Sequence, residues 1–79
     1  MERELVLAAR MGDEAAFAQL IEAEAPCIYR AVLAVVQSPE DAQEVIQDAS
    51  IRAWRQLGGL REVDKWPAWF RRRSEEEAR

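Results

Sequence analysis

Apolar residues along this chain recur at intervals of three and four, the period of helices that bury one face. Nowhere do they settle into the alternation of a half-buried strand. A first short helix is expected over roughly Glu4–Met11, with Gly12 as its C-terminal stop. Asp13 is placed to cap a second helix from Glu14 to about Glu24, on which Ala16, Phe17, Leu20 and Ile21 recur at helical spacing. A third apolar segment runs through Ile28, Val32, Leu33, Val35 and Val36. Pro26 lies near its start, so the second and third segments read either as two helices or as one kinked helix, because proline breaks the internal hydrogen-bond ladder.

The next start is the clearest. Ser38 is a good N-cap, Pro39 suits the first helical position, and Asp41 sits three residues past the cap, approximating a capping box with a shorter acid. This helix is expected from Pro39 to about Leu57, with Ala42, Val45, Ile46, Ala49, Ala53, Trp54 and Leu57 as its apolar stripe. Gly58-Gly59 ends it, a loop covers Gly58–Val63, and Asp64 is placed to cap a last helix that tolerates Pro67 in its first turn. After Phe70 no apolar side chain larger than alanine appears, so Ser74–Arg79 is expected to fray into solvent as an acidic tail. The predicted fold is all-α, a bundle of three to four helices over residues 1–73. Its expected core is Phe17, Leu20, Ile21, Ile28, Leu33, Val45, Ile46, Ala49, Ala53, Trp54 and Trp69.

Seventy-nine residues make one domain at most, with a small core. No apolar run approaches the roughly 20 residues that span a bilayer, and Met1-Glu2-Arg3-Glu4 lacks the start of a signal peptide. A cytoplasmic protein without membrane contact is therefore expected. Cys27 is the only cysteine, which excludes an internal disulfide; between Pro26 and Ile28 it is expected to be buried and inert.

Charge changes the picture more than composition does. The net charge is −4, but residues 1–48 carry −7, residues 49–73 carry +5 and residues 74–79 carry −2. An acidic half joined to a basic half suggests two partners of opposite charge, beside the plainer reading of two solvated helix faces. Catalytic equipment is missing. There is no histidine, one cysteine cannot build a usual zinc site, and Gly58-Gly59 is too short to cradle a phosphate. Glu44 and Asp48 lie one turn apart, but without the Glu-x-x-His pairs of helical metal sites they read as a solvated face. No cofactor and no enzymatic activity are expected, and a carboxylate-metal enzyme is the weakest of the readings considered.

Two surfaces remain. One is acidic and amide-rich: Glu40, Gln43, Glu44, Gln47 and Asp48. The other is basic with interleaved aromatics: Arg52, Trp54, Arg55, Arg61, Lys65, Trp66, Trp69, Arg71 and Arg72. Arginines for phosphates beside aromatic faces for bases suit single-stranded nucleic acid. Trp54 and Trp69 lie on apolar stripes and are expected in the core, whereas Trp66 is the tryptophan expected at the surface.

Leu5-Val6, Gly12-Asp13-Glu14-Ala15-Ala16-Phe17, Leu20 and Tyr29 lead into a more specific stretch, Asp41-Ala42-Gln43-Glu44-Val45-Ile46-Gln47-Asp48, followed by Arg52-Ala53-Trp54. With Ala68-Trp69-Phe70-Arg71-Arg72, these residues resemble the second conserved domain of bacterial RNA polymerase sigma factors of the extracytoplasmic-function type, over about residues 5–72. The resemblance implies a transcription initiation domain. Its long helix would dock on a coiled coil in the clamp of the polymerase's largest subunit. Its loop and last helix would hold the non-template single strand of the −10 promoter element. Carried over by position, Gln43, Glu44, Gln47 and Asp48 become polymerase contacts, and Arg52, Arg55, Arg61, Lys65, Trp66, Arg71 and Arg72 become DNA contacts. An anti-sigma factor is a further partner the resemblance admits.

The chain departs from the family's pattern at two places. Ser50 stands where the family usually has phenylalanine, so looser packing is expected there. After Arg72 the family usually continues with an apolar pair and then Arg-Asn, whereas this chain reads Arg73-Ser74-Glu75-Glu76, and its three glutamates would repel a phosphate backbone. The family's domain for the −35 element is not among these residues, as expected of a fragment, of one part of a larger protein or of a divergent relative. The acidic tail favours the alternative function, a sigma-domain-like interaction module that binds polymerase or a regulator without melting DNA.

Overall fold

The caps read from the sequence set most element boundaries in the computed structural model, which describes residues 2–79. Helix α1 spans Glu2–Arg10, α2 Glu14–Val36, α3 Pro39–Gln56 and α4 Trp66–Ala78. Two 3₁₀ turns, Leu57–Gly59 and Val63–Lys65, join α3 to α4, and no strand occurs among the described residues. Gly12 turns the chain after α1 at φ +101°, a conformation that a side chain would strain. The Asp13 carboxylate accepts from the Ala16 amide at 3.1 Å, and the Ser38 hydroxyl accepts from the Asp41 amide at 3.3 Å. Both N-caps therefore act where the sequence puts them.

The second and third apolar segments form one helix, α2, with Pro26 inside it. Pro26 is exposed, so the carbonyl its missing N–H leaves free one turn earlier is open to water. The helix ends at Gln37, which is left-handed at φ 59° and donates its N–H to the Leu33 carbonyl at 2.8 Å. Glycine or asparagine usually marks such a cap, so glutamine gave no signal for it.

Three alanines on one line of α3, Ala42, Ala49 and Ala53, are fully buried and let the neighbouring helices approach closely. An aromatic chain then ties the helices together. Phe17 on α2 meets Trp54 on α3 at 5.0 Å between centroids, and meets Trp66 on α4 edge-on at 5.8 Å. The connection after α3 also feeds the core: Leu57, Leu60 and Val63 are all buried, although the sequence reading gives the segment no core role beyond Leu57 on the α3 stripe.

Several expectations change. Trp66 is fully buried rather than exposed, because Val63, Trp66, Phe70 and Ser74 fall on one side of the turn and helix that contain them. Trp54 and Trp69, expected in the core, are half-buried, as are Ile21, Leu33, Val45 and Ile46. Asp64 does not cap α4. It lies inside the preceding 3₁₀ turn, its carboxylate pairs with Arg3 of α1 at 3.1 Å, and Lys65 occupies the cap position without a side-chain hydrogen bond. Residues 74–78 do not fray. Helix α4 carries them through Ala78, Ser74 is fully buried with its hydroxyl on the Phe70 carbonyl at 3.0 Å, and Glu77 pairs with Arg52 at 3.1 Å. Cys27 is exposed, since Ile28 and Val32 define the inward line of α2 and Cys27 falls beside it. At Ser50 the hydroxyl bonds back to the Ile46 carbonyl at 2.8 Å, and a groove lined by Phe17, Ala18, Ile51 and Trp54 lies open beside it.

Candidate nucleic-acid interface

The arc of α3 opposite its buried alanines carries Gln43, Glu44, Gln47 and Asp48, and all four are exposed. Periodicity fixes this: the alanines sit at steps of seven and four, and the four polar residues fall on the far side. Arg55 lies seven residues beyond Asp48 on the same line of the helix, so the acidic face passes into a basic end along α3 itself.

The basic surface is divided. Arg61, Lys65 and Arg72 converge with Trp69 around a shallow cleft of about 290 Å³, whose remaining walls are Gly59, Leu60, Glu62 and Ala68. The two 3₁₀ turns supply one side and the first turns of α4 the other. Lys65 lies 3.6 Å from Glu62, both side chains largely in solvent, so the contact leaves the lysine available. Arg52, Arg55 and Arg71 are not among its walls. Arg52 lines a second, smaller cleft between α3 and α4 with Gln56, Arg73, Glu76 and Glu77.

Arg73 connects the two. Its guanidinium carbon lies 3.9 Å from the centroid of the Trp69 ring, and its Nε donates to the Gln56 side-chain oxygen at 3.1 Å. The aromatic that lines the cleft is the half-buried Trp69, and Trp66 is packed against it at 5.8 Å between centroids. Of the two tryptophans, Trp66, expected at the surface, is buried, and Trp69, expected in the core, is half-buried with Arg73 against its ring. The four-residue spacing of Trp66 and Phe70, with Val63 three residues before, was the signal that assigns Trp66 to the core. Among the described residues no three His, Cys, Asp or Glu side chains gather to hold a metal, and no helix is long and apolar enough to cross a membrane.

The acidic arc on α3 and the aromatic, basic cleft between the 3₁₀ turns and α4 are thus separate surfaces of one helical domain. The family model for sigma-70 region 2 matches residues 20–79, and the chain belongs to that family. No curated protein and no solved structure matches the chain. Sigma-70 region 2 is a domain of transcription initiation factors, which act with RNA polymerase at promoters; it is not a catalytic family. The match includes residues 74–79, the segment whose acidic sequence departs most from the expected pattern.

Proposed function

We propose that this chain works as a sigma-factor domain of the extracytoplasmic-function type, acting in the cytoplasm. In this reading Gln43, Glu44, Gln47 and Asp48 dock on the clamp coiled coil of the polymerase's largest subunit. The cleft between the 3₁₀ turns and α4 receives the non-template single strand of the −10 element. Arg61, Lys65 and Arg72 contact phosphates, and Trp69 supplies the stacking face first sought at Trp66. The observation that carries the reading is that cleft: three cationic side chains around one accessible indole, opposite in charge to α3's exposed arc. Cations give salt-sensitive phosphate affinity, while an aromatic wall favours unpaired bases over a duplex whose bases are already stacked. The acidic arc of α3 supplies the complementary potential for a basic protein partner.

Fluorescence anisotropy with labelled single strands and duplexes of one sequence tests the nucleic-acid half. The single strand should bind more tightly, with affinity falling as salt rises, and Arg61→Ala should weaken it. Equal or stronger duplex binding would defeat the reading. Absence of any binding by the folded chain would favour the alternative module, which grips a protein partner through α3 and leaves DNA unmelted.

A further inference from the structure

We propose that Arg52, Gln56 and Arg73 form a second phosphate site beside the tryptophan cleft, and that the carboxylate of Glu77 occupies this site in the free chain. The proposal rests on the single-strand reading above and adds an internal competitor to it.

Two pairs of residues face each other across the α3–α4 seam. Arg52 and Gln56 lie one turn apart on α3, and Arg73 and Glu77 lie one turn apart on α4. Together with Glu76 they enclose a cleft of about 140 Å³. Arg52 Nε meets Glu77 Oε1 at 3.1 Å, and the Glu77 side chain is only 22% exposed against 64% for Arg52. The carboxylate is thus drawn into the seam while the guanidinium keeps most of its surface in solvent. Arg73 offers only donors, so its bond at 3.1 Å fixes the Gln56 oxygen toward it and leaves the Gln56 amide N–H₂ to donate elsewhere. Two guanidinium groups and an amide donor are the equipment of an oxyanion site, and the carboxylates that line it, Glu76 and Glu77, belong to the chain itself.

Arg73 makes the site continuous with the tryptophan cleft. Its guanidinium covers a face of Trp69 at 3.9 Å, so a base that stacks there has to move or share that cation. Arg52's half of the pair is largely in solvent, so a phosphate can reach the guanidinium from outside and take Glu77's place. The departure of this chain from the usual family ending then has a function. Glu77 holds Arg52 in a neutralised pair until a strand enters.

This exchange has a signature in salt dependence. A phosphate that replaces Glu77 on Arg52 leaves a carboxylate to be neutralised by solvent cations, which offsets the counterions the strand releases. Once Glu77 is neutral the offset disappears, and the slope of log K against log salt should steepen by about 0.7, the value for one single-strand phosphate. The test is anisotropy with a labelled single-stranded oligonucleotide, on the full chain and on Glu77→Gln, Glu75→Gln and Arg52→Ala with and without Glu77→Gln. Glu75 carries the same charge and lines neither cleft. Glu77→Gln should bind about fivefold tighter than wild type at about 20 mM salt, fall to parity with it by about 200 mM, and have no effect when Arg52 is alanine. Circular dichroism confirms the fold of each variant. Wild type that binds single strands, with Glu77→Gln identical to it in slope or matched by Glu75→Gln, overturns the internal competitor and leaves the single-strand reading in place. No binding by any variant at low salt overturns both.

Discussion

Trp66 and Phe70 stack one helical turn apart, with ring centroids 5.1 Å apart and planes within 5° of parallel. Both are fully buried, and among the described residues the Trp66 indole N–H has no hydrogen-bond partner. Trp66 thus contributes ring area alone. Trp66→Ala should cost about 3–5 kcal/mol, comparable to the whole stability of a small domain, and thermal melts should show little cooperative structure. Trp66→Phe removes an unpaired buried donor along with some area and should stay folded. Trp69→Ala should do the reverse: it keeps the fold and loses about 1–3 kcal/mol of single-strand affinity, read by anisotropy.

The exposed arc of α3 gives a second test. Glu44→Arg combined with Asp48→Arg reverses the charge of the arc without touching Ala42, Ala49 or Ala53. Surface changes of this kind alter stability little, so the variant should melt like wild type. Capture of core RNA polymerase on immobilised protein should be abolished. Undiminished capture would show that the arc is a solvated face and nothing more.

Backbone strain in α2 predicts stabilising changes. Pro26 interrupts the ladder at an exposed position, and Gln37 holds a left-handed cap at φ 59°. Pro26→Ala should stabilise the domain by about 2 kcal/mol, the helix-interior penalty of proline less the stiffness it gives the unfolded chain. Calorimetry should register a rise of about 10 °C. Gln37→Gly should add a smaller gain, up to about 1 kcal/mol, by removing the Cβ from that conformation.

Ser74 tests the course of α4. Among the described residues its hydroxyl bonds only to the Phe70 carbonyl, which already serves the helix ladder, so Ser74→Ala should be neutral or slightly stabilising in a chemical melt. Ser74→Glu would bury a charge with no partner and should unfold the end of α4 or the whole domain. A well-folded Ser74→Glu variant would mean that residues 74–78 leave the bundle as the sequence pattern suggested.

The sequence by itself determined the helices, because caps and periodicity are local. Asp13 and Ser38 each hydrogen-bond within three residues of themselves, and no distant contact is needed to make them work. It also determined the division of charge and the acidic arc, since residues on one helix share faces by periodicity alone. The tertiary structure decided what depends on which helix covers which. The spacing of Val63, Trp66 and Phe70 marks an apolar line on the last helix, but how closely α2 covers that line, with Phe17 edge-on to Trp66 at 5.8 Å, is decided by the packing of the helices. The same holds for Glu77, which looks like part of a solvated acidic tail until α3 presents Arg52 at 3.1 Å. Long-range charge pairing leaves no periodic trace, because it depends on which side chains two separate helices bring together.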